Sequence, residues 1–141
     1  MTIYLDTSAA VPLFVPEPAS EAIDAWLESC TEPLVSSDWI LTEFSSTLSL
    51  KVRRGEITVR QATAAWDGFS DFCGAGLRLL PVSRKAFEEA AKLVRHAASG
   101  LRAGDSLHLA MALEAGAVGF ATADEMLAKN AKAKGLNVNR F

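Results

Sequence analysis

The sequence predicts an α/β fold in which a central parallel sheet is covered by helices on both faces, forming a three-layer α/β/α sandwich. Strand-like and helix-like segments alternate along all 141 residues, with no internal repeat, and this alternation is typical of a parallel sheet covered on both faces. Half of the residues are hydrophobic and 22% are charged, which excludes a disordered chain. A chain of this length is expected to form one domain, residues 1–141.

The first four elements are two strands and two helices. Thr2–Leu5 is a short β-rich run, and Ala9–Phe14 can form one or two helical turns before the following prolines end them. Ser20–Ser29 has apolar side chains at i, i+3 and i+4, and this spacing predicts a helix. Pro33–Ser36 predicts the second strand.

Two longer helices come next. Ser37 or Asp38 can cap a helix to about Arg54, in which apolar residues recur every four positions until Gly55 ends it. Thr58–Phe72 predicts a second helix with apolar residues along one side.

The second half of the chain repeats this alternation. Leu77–Pro81 predicts a strand, and Ser83 caps a helix that is expected to bury Phe87, Ala90 and Val94. The remaining expected elements are an apolar helix from Gly104 or Asp105 to Glu114, a strand at Val118–Ala121, a helix at Asp124–Lys134 and a strand at Leu136–Asn139.

Two acids follow predicted strands. Asp6 comes directly after the first strand, and Asp124 comes shortly after the strand that ends at Ala121. Because the carboxyl ends of parallel strands share one edge of the sheet, where α/β proteins place their sites, both acids are candidate site residues. Both can equally cap a helix. Thr7 and Ser8 can hold the Asp6 carboxylate or a water, or they can be turn residues.

Two further acids complete the set of candidates. Asp105 opens a helix that is apolar nearly all round, so we expect its carboxylate to point into a crevice, although it too can act as a cap. Glu43 lies inside a helix with no base three or four positions away. A partly buried acid without a partner is costly unless a cation neutralises it, whereas a solvated position at the edge of the helix needs no such partner.

These carboxylates indicate a chemistry. Ionised carboxylates that share one site need a cation between them, and an all-oxygen ligand set favours Mg²⁺ or Mn²⁺ over zinc. Such an ion activates water against a phosphodiester. Neither histidine is assigned to this chemistry, since His96 is expected at the surface and His108 in the core or near the site. Cys30 and Cys73 are expected to be small, buried, free thiols.

Four segments, taken together, resemble a known family. They are MTIYLDTSA at the start, the mid-helix Glu in TEF, RAGDSLHLAMA, and FATADEMLAKNAKAKGL near the end. As a set they are similar to the PIN-domain ribonucleases, and above all to the VapC-type toxins of bacterial type II toxin–antitoxin pairs. The resemblance covers nearly the whole chain and implies a compact α/β/α domain with about four or five parallel strands.

The resemblance also implies roles for particular residues. The acidic cluster of the family carries over onto Asp6, Glu43, Asp105 and Asp124. In the family these acids hold one or two Mg²⁺ or Mn²⁺ ions and activate water for endonucleolytic cleavage of RNA. The hydroxyl of the last motif carries over onto Thr122, and Thr7 and Ser8 are expected to make supporting contacts. Ser106 stands where the family most often has alanine, which puts no role in doubt.

Similar toxins form homodimers and are inhibited by a cognate antitoxin, and only the antitoxin contacts operator DNA. The two long helices in the first half carry a surplus of large apolar residues: Trp39, Leu41, Leu48, Leu50, Trp66, Phe69 and Phe72. This surplus indicates either a partner surface or a thick core. We expect a cytoplasmic protein with no membrane segment, because no apolar run reaches the roughly 20 residues of a membrane helix.

Charge is distributed unevenly. Residues 1–50 contain no Lys or Arg, so all 14 bases lie in residues 51–141. This asymmetry can steer a polyanion to one part of the surface, or the acids can simply solvate the early helices. Candidate phosphate contacts are Lys51, Arg53, Arg54, Arg84, Lys85, Arg102, Lys129 and Lys132, of which Arg102 is nearest to an acidic motif and can instead pair with Glu43 or another acid.

Two alternatives belong to other functional classes. One is a metal-dependent phosphatase or receiver-like domain, although no lysine follows the candidate strands as a receiver requires. The other is a non-enzymatic interaction module whose acids are helix caps. Glu43 discriminates the interaction module from an enzyme with clustered acids, because an exposed Glu43 far from Asp6 and Asp105 means that no cluster exists and favours the interaction module.

Overall fold

The computed structural model describes residues 1–141, and five strands form one sheet at its centre. The strands are β1 (Ile3–Leu5), β2 (Leu34–Ser37), β3 (Leu77–Leu80), β4 (Gly119–Thr122) and β5 (Asn137–Arg140). Their order across the sheet is β3-β2-β1-β4-β5, and every neighbouring pair is parallel. The predicted α/β class with a parallel sheet is confirmed.

Seven helices cover the sheet. They are α1 (Thr7–Ala10), α2 (Ser20–Ser29), α3 (Trp39–Arg53), α4 (Val59–Ala75), α5 (Arg84–Arg95), α6 (Ala103–Glu114) and α7 (Glu125–Ala133). Short 3₁₀ turns at Val11–Leu13 and Ala97–Ser99 follow α1 and α5. None of these helices combines the length and the apolar composition needed to cross a membrane.

Alternation along the strands divides the core into two layers. Ile3 and Leu5 of β1 pack with apolar residues of α1 to α4 on one face. Tyr4, which lies between them and points the opposite way, packs with residues of α5, α6 and α7 on the other. The three-layer arrangement therefore follows directly from the two-residue period of the strands.

The central strand β1 is also the point at which the chain changes direction across the sheet. Successive units extend from β1 through β2 to β3 on one side, and the chain then returns to place β4 and β5 on the other side. Parallel sheets of this kind have a crevice at the carboxyl ends of the strands where the order reverses. In this protein that crevice lies between β1 and β4.

The structure corrects two burial predictions. Ala90 on α5 is buried as expected, but Phe87 is 53% exposed and Ala86 is buried in its place, while Val94 is half-buried. The side of α5 that packs on α6 is lined by alanines, which allow close approach of the two helices and leave Phe87 outside. Cys30 and Cys73 have free thiols as expected, but both are half-buried rather than buried.

Candidate active site

A cleft of about 390 Å³ opens at the carboxyl end of the sheet, at the switch point between β1 and β4. Its lining includes all four acids singled out in the sequence, namely Asp6, Glu43, Asp105 and Asp124, together with Thr7 and Ser8. Thr122 does not line the cleft; it is fully buried, and its hydroxyl donates to the Asp6 carboxylate. Residues from two strand ends and two helices therefore meet in one place.

Asp6 lines the cleft directly after β1. The residue is 2% exposed, and its carboxylate accepts hydrogen bonds from the hydroxyls of Ser8 (2.8 Å) and Thr122 (2.7 Å). It also accepts a bond from the backbone N–H of Ala9, so Asp6 caps α1 as well as lining the cleft. Burial raises the pKa of Asp6 to about 6, although the charge of His108 and these hydrogen bonds oppose the shift.

Glu43 reaches the cleft from the middle of α3. Its Oε1 accepts hydrogen bonds from the Thr7 hydroxyl (2.5 Å) and from Nε2 of His108 (2.6 Å). Burial alone would raise the pKa of Glu43, but the His108 and Thr7 contacts lower it below its usual value. Glu43 thus has hydrogen-bond donors from two other helices, α1 and α6.

His108 is the main contributor that sequence analysis left without a chemical role. It is 1% exposed and lines the cleft from α6. Its position one helical turn after Asp105 is the signal that could have placed it at the site, because residues three apart share a helix face. The prediction that it lies in the core or near the site is correct on both counts.

Asp105 and Asp124 share one arginine. Arg102 Nε lies 3.5 Å from Asp105 Oδ2, and Arg102 Nη2 lies 3.8 Å from Asp124 Oδ2. Asp124 caps α7 by accepting from the N–H of Leu127. Asp105 is not the N-cap residue of α6, because α6 begins two residues earlier and Arg102 occupies the N-cap position. Burial and the neighbouring Asp124 raise the pKa of Asp105, while Arg102 opposes the shift.

Among the Lys and Arg side chains, Arg102 is the one that lines the cleft. The alternative that Arg102 pairs with Glu43 or another acid is confirmed, and its partners are Asp105 and Asp124, not Glu43. Lys51, another candidate phosphate contact, forms an ion pair with Glu17, which also lines the cleft and was not singled out in the sequence. The acid-rich lining therefore has one exposed base at its mouth.

The carboxylate oxygens that line the cleft are chemically suited to a hard divalent ion. Carboxylate oxygens are the ligands that Mg²⁺ and Mn²⁺ prefer, and the raised pKa of Asp6 reflects a buried negative charge that a cation would stabilise. No three His, Cys, Asp or Glu side chains converge closely enough to hold an ion by themselves. Mg²⁺ does not require such convergence, since it binds through one or two carboxylates and keeps several waters.

The fold and this site define a class: a doubly wound α/β protein with an acid-lined cleft at the switch point of its sheet. Comparison with known families identifies which family of that class the chain belongs to. The family model for the PIN domain matches residues 3–133, so the chain belongs to the PIN domain family.

Relatives place the chain near the VapC proteins within that family. It is 31% identical over 138 residues to ribonuclease VapC45 and to ribonuclease VapC49 of two Mycobacterium tuberculosis strains, covering 96% of this chain and 93% of each relative. The crystal structure of M. tuberculosis VapC20, described as a sarcin–ricin loop-cleaving toxin, superposes with a TM-score of 0.73 at 21% identity and 95% coverage of both chains. VapBC2 of Rickettsia felis, bound to promoter DNA, superposes with a TM-score of 0.69 at 16% identity, covering 100% of this chain and 99% of that one.

Proposed function

We propose that this protein is a Mg²⁺- or Mn²⁺-dependent endoribonuclease and the toxin of a type II toxin–antitoxin pair, acting on RNA in the cytoplasm. The observation that carries the proposal is the meeting of four carboxylates from distant segments in one cleft at the switch point of a PIN domain. The names of the relatives support it, because two are called ribonucleases and one solved neighbour is described as a sarcin–ricin loop-cleaving toxin.

Asp6, Glu43, Asp105 and Asp124 are the residues that would hold the ion. When bound, the ion supplies a Lewis acid that activates water near neutral pH and offsets negative charge at the phosphorus. Ser8 and Thr122 hold the Asp6 carboxylate, and Thr7 holds that of Glu43. These supporting hydroxyls orient the acids before the substrate arrives, which lowers the reorganisation cost of the reaction.

Arg102 is the expected contact for a substrate phosphate. Its side chain is 82% exposed at the cleft mouth, and its ion pairs with Asp105 and Asp124 are long. An exposed arginine can exchange weak carboxylate contacts for a bidentate phosphate contact at little cost. We propose that it turns to the RNA backbone when the acids bind an ion.

The position of Glu43 counts against the interaction-module alternative. It shares the cleft with Asp6 and Asp105 instead of lying exposed and distant. A set of helix caps would not require an acid from the middle of α3, which caps nothing. The nuclease proposal gives this residue a role.

We propose that the partners are RNA, a cognate antitoxin and a second copy of the chain, and that operator DNA is reached only through the antitoxin. An apolar groove of about 410 Å³ lies between α3 and α4, where Val59 and Trp66 expose apolar surface. Such a surface supports the proposal that an antitoxin binds this protein. Part of the apolar surplus is core, since Phe69 and Leu48 are buried, whereas Leu41 and Leu50 are exposed. Solved VapBC complexes give the family precedent for such a partner.

Cleavage of total RNA by the antitoxin-free protein tests the proposal. We expect discrete fragments with Mg²⁺ or Mn²⁺, no cleavage in EDTA, and losses of at least about 100-fold for Asp6→Asn and for Glu43→Gln, because each removes a charge that the ion needs. Asp24→Asn and Glu88→Gln change the same groups at exposed positions and should cleave like the wild type. Metal-independent cleavage, or equal activity in all variants, would contradict the proposal.

A further inference from the structure

We propose that His108 is a positioning residue that holds the Glu43 carboxylate in the cleft, and that Gly104 is required because that carboxylate lies against its Cα. The inference rests on the proposed function and adds two residues to its machinery that act through Glu43. Neither residue touches substrate in this scheme. Both determine where one carboxylate oxygen is placed.

The bond from His108 to Glu43 has a defined direction. Nε2 of His108 lies 2.6 Å from Oε1 of Glu43, and an ionised carboxylate can only accept, so Nε2 carries the proton. The His108 side chain is 2% exposed, so little water competes for that proton. A bond to a charged acceptor in such surroundings orients a side chain strongly.

The other nitrogen of the imidazole is also held. Nδ1 of His108 lies 2.8 Å from the hydroxyl of Tyr4, and that hydroxyl lies 3.0 Å from Ser37 Oγ. Tyr4 is fully buried in β1, two residues before Asp6, and Ser37 ends β2. Residues of two strands therefore hold the ring in one orientation. The ring in turn orients the Glu43 carboxylate on α3 through the hydrogen bond from Nε2.

Gly104 shapes the same position from the start of α6. A Cβ built on Gly104 would lie 2.5 Å from Oε2 of Glu43 and 3.2 Å from Nε1 of Trp39. The carboxylate cannot move away freely, since Thr7 and His108 both hold its Oε1. Any side chain at position 104 must therefore displace Glu43 or break those bonds.

The consequence is that the two oxygens of Glu43 have different surroundings. Oε1 accepts from both Thr7 and His108, whereas Oε2 accepts from neither. Oε2 lies instead against Gly104, beside the indole Nε1 of Trp39, so the two donors on Oε1 and the Gly104 backbone together fix the orientation of the carboxylate. Partners of this kind around a ligating carboxylate typically change metal affinity or activity by about 10- to 100-fold when they are removed.

A pair of substitutions at His108 separates positioning from packing. The amide nitrogen of His108→Gln falls near the place of Nε2 and can still donate to Glu43, whereas that of His108→Asn falls near the place of Nδ1 and reaches only toward Tyr4. We expect Asn to lower Mn²⁺ affinity, measured without RNA, and RNA cleavage by about 10- to 100-fold. Gln should restore most of both, and the exposed control His96→Gln should change neither.

Gly104→Ala gives an independent test, because it removes no polar group and only displaces the Glu43 carboxylate. We expect about a 10-fold or greater loss of Mn²⁺ affinity and cleavage, at a thermal midpoint close to that of the wild type. Gly74→Ala is the matched control, because a Cβ at Gly74 meets nothing within 4 Å.

The outcomes distinguish this inference from the function on which it rests. Equal behaviour of His108→Gln and His108→Asn, or losses that follow the thermal midpoint alone, would overturn the positioning role in a nuclease that works. A Gly104→Ala protein with wild-type affinity would overturn the role of Gly104. A wild-type protein that neither binds Mn²⁺ nor cleaves RNA would refute the proposed function, and this inference with it.

Discussion

Burying the charged side chain of Asp6 costs free energy. The residue is 2% exposed, and its carboxylate accepts hydrogen bonds from two hydroxyls and one backbone amide. Hydrogen bonds of this kind offset only part of the desolvation of a buried charge. From its position after a strand, Asp6 was expected either to cap a helix or to belong to a site. In the structure it caps α1 and also lines the cleft.

The pKa of Asp6 predicts how stability depends on pH in the metal-free protein. The value is raised from 3.8 to about 6 in the folded state, so the folded state binds the proton more tightly than the unfolded state. The stability that Asp6 contributes is therefore present below about pH 4 and is lost as pH rises through 6, by roughly 2–3 kcal/mol. Asp6→Asn has no such titration.

Urea unfolding in EDTA at several pH values measures this effect. The free energy of unfolding of Asp6→Asn minus that of the wild type should rise between about pH 4 and 6 and then level off. Asp24→Asn, at an exposed position, serves as the control and should show no rise of this size. A difference that is flat with pH for Asp6→Asn would contradict the raised pKa.

At the scale of elements, helix and strand positions followed from periodicity, but the buried face of α5 did not. The predicted stripe of Phe87, Ala90 and Val94 and the observed one both contain Ala90. They differ at the preceding turn, where Ala86 is buried in place of Phe87, one position and about 100° away around the helix. Small residues on the true face let α5 approach α6 closely, with Ala90 packing against Leu107 and Ala110. The pattern of apolar residues in one helix does not reveal how closely that helix approaches its neighbour.

Two phenylalanines test this assignment of faces. Phe69 on α4 is fully buried and stacks on Phe44 with ring centroids 4.0 Å apart, so Phe69→Ala should cost about 3–5 kcal/mol of unfolding free energy. Phe87→Ala should cost no more than about 0.5 kcal/mol, as at other surface positions. Chemical denaturation of both variants measures the difference, and comparable costs would show that Phe87 is buried.

At the scale of the whole molecule, the order of the strands creates the cleft. Asp6 follows β1 and Asp124 follows β4, which are neighbours in the sheet although more than 100 residues separate them in the chain. Glu43 arrives on α3 and Asp105 on α6, so the site requires the complete sheet and helices from both layers. Folding and the assembly of the site are consequently one event.

An ion that binds only this assembled site should stabilise the fold. At a Mn²⁺ concentration 100-fold above the dissociation constant, the wild type should gain about 2.7 kcal/mol and unfold at a higher temperature. Asp6→Asn and Glu43→Gln should lose most of that gain, whereas Glu88→Gln, at an exposed position, should keep it. Thermal unfolding with and without Mn²⁺ measures the gain, and an equal gain in every variant would place the ion elsewhere.

The sequence by itself determined the fold class, the approximate bounds of most elements and the four candidate acids, because periodicity, turn residues and chain order are local properties. It could not determine that His108 donates to Glu43, 65 positions away, or that Arg102 bridges Asp105 and Asp124. Hydrogen bonds depend on tenths of an ångström between atoms of distant segments. Those distances arise only when both helical layers have packed on the sheet, so the tertiary structure decided which side chains support the acids.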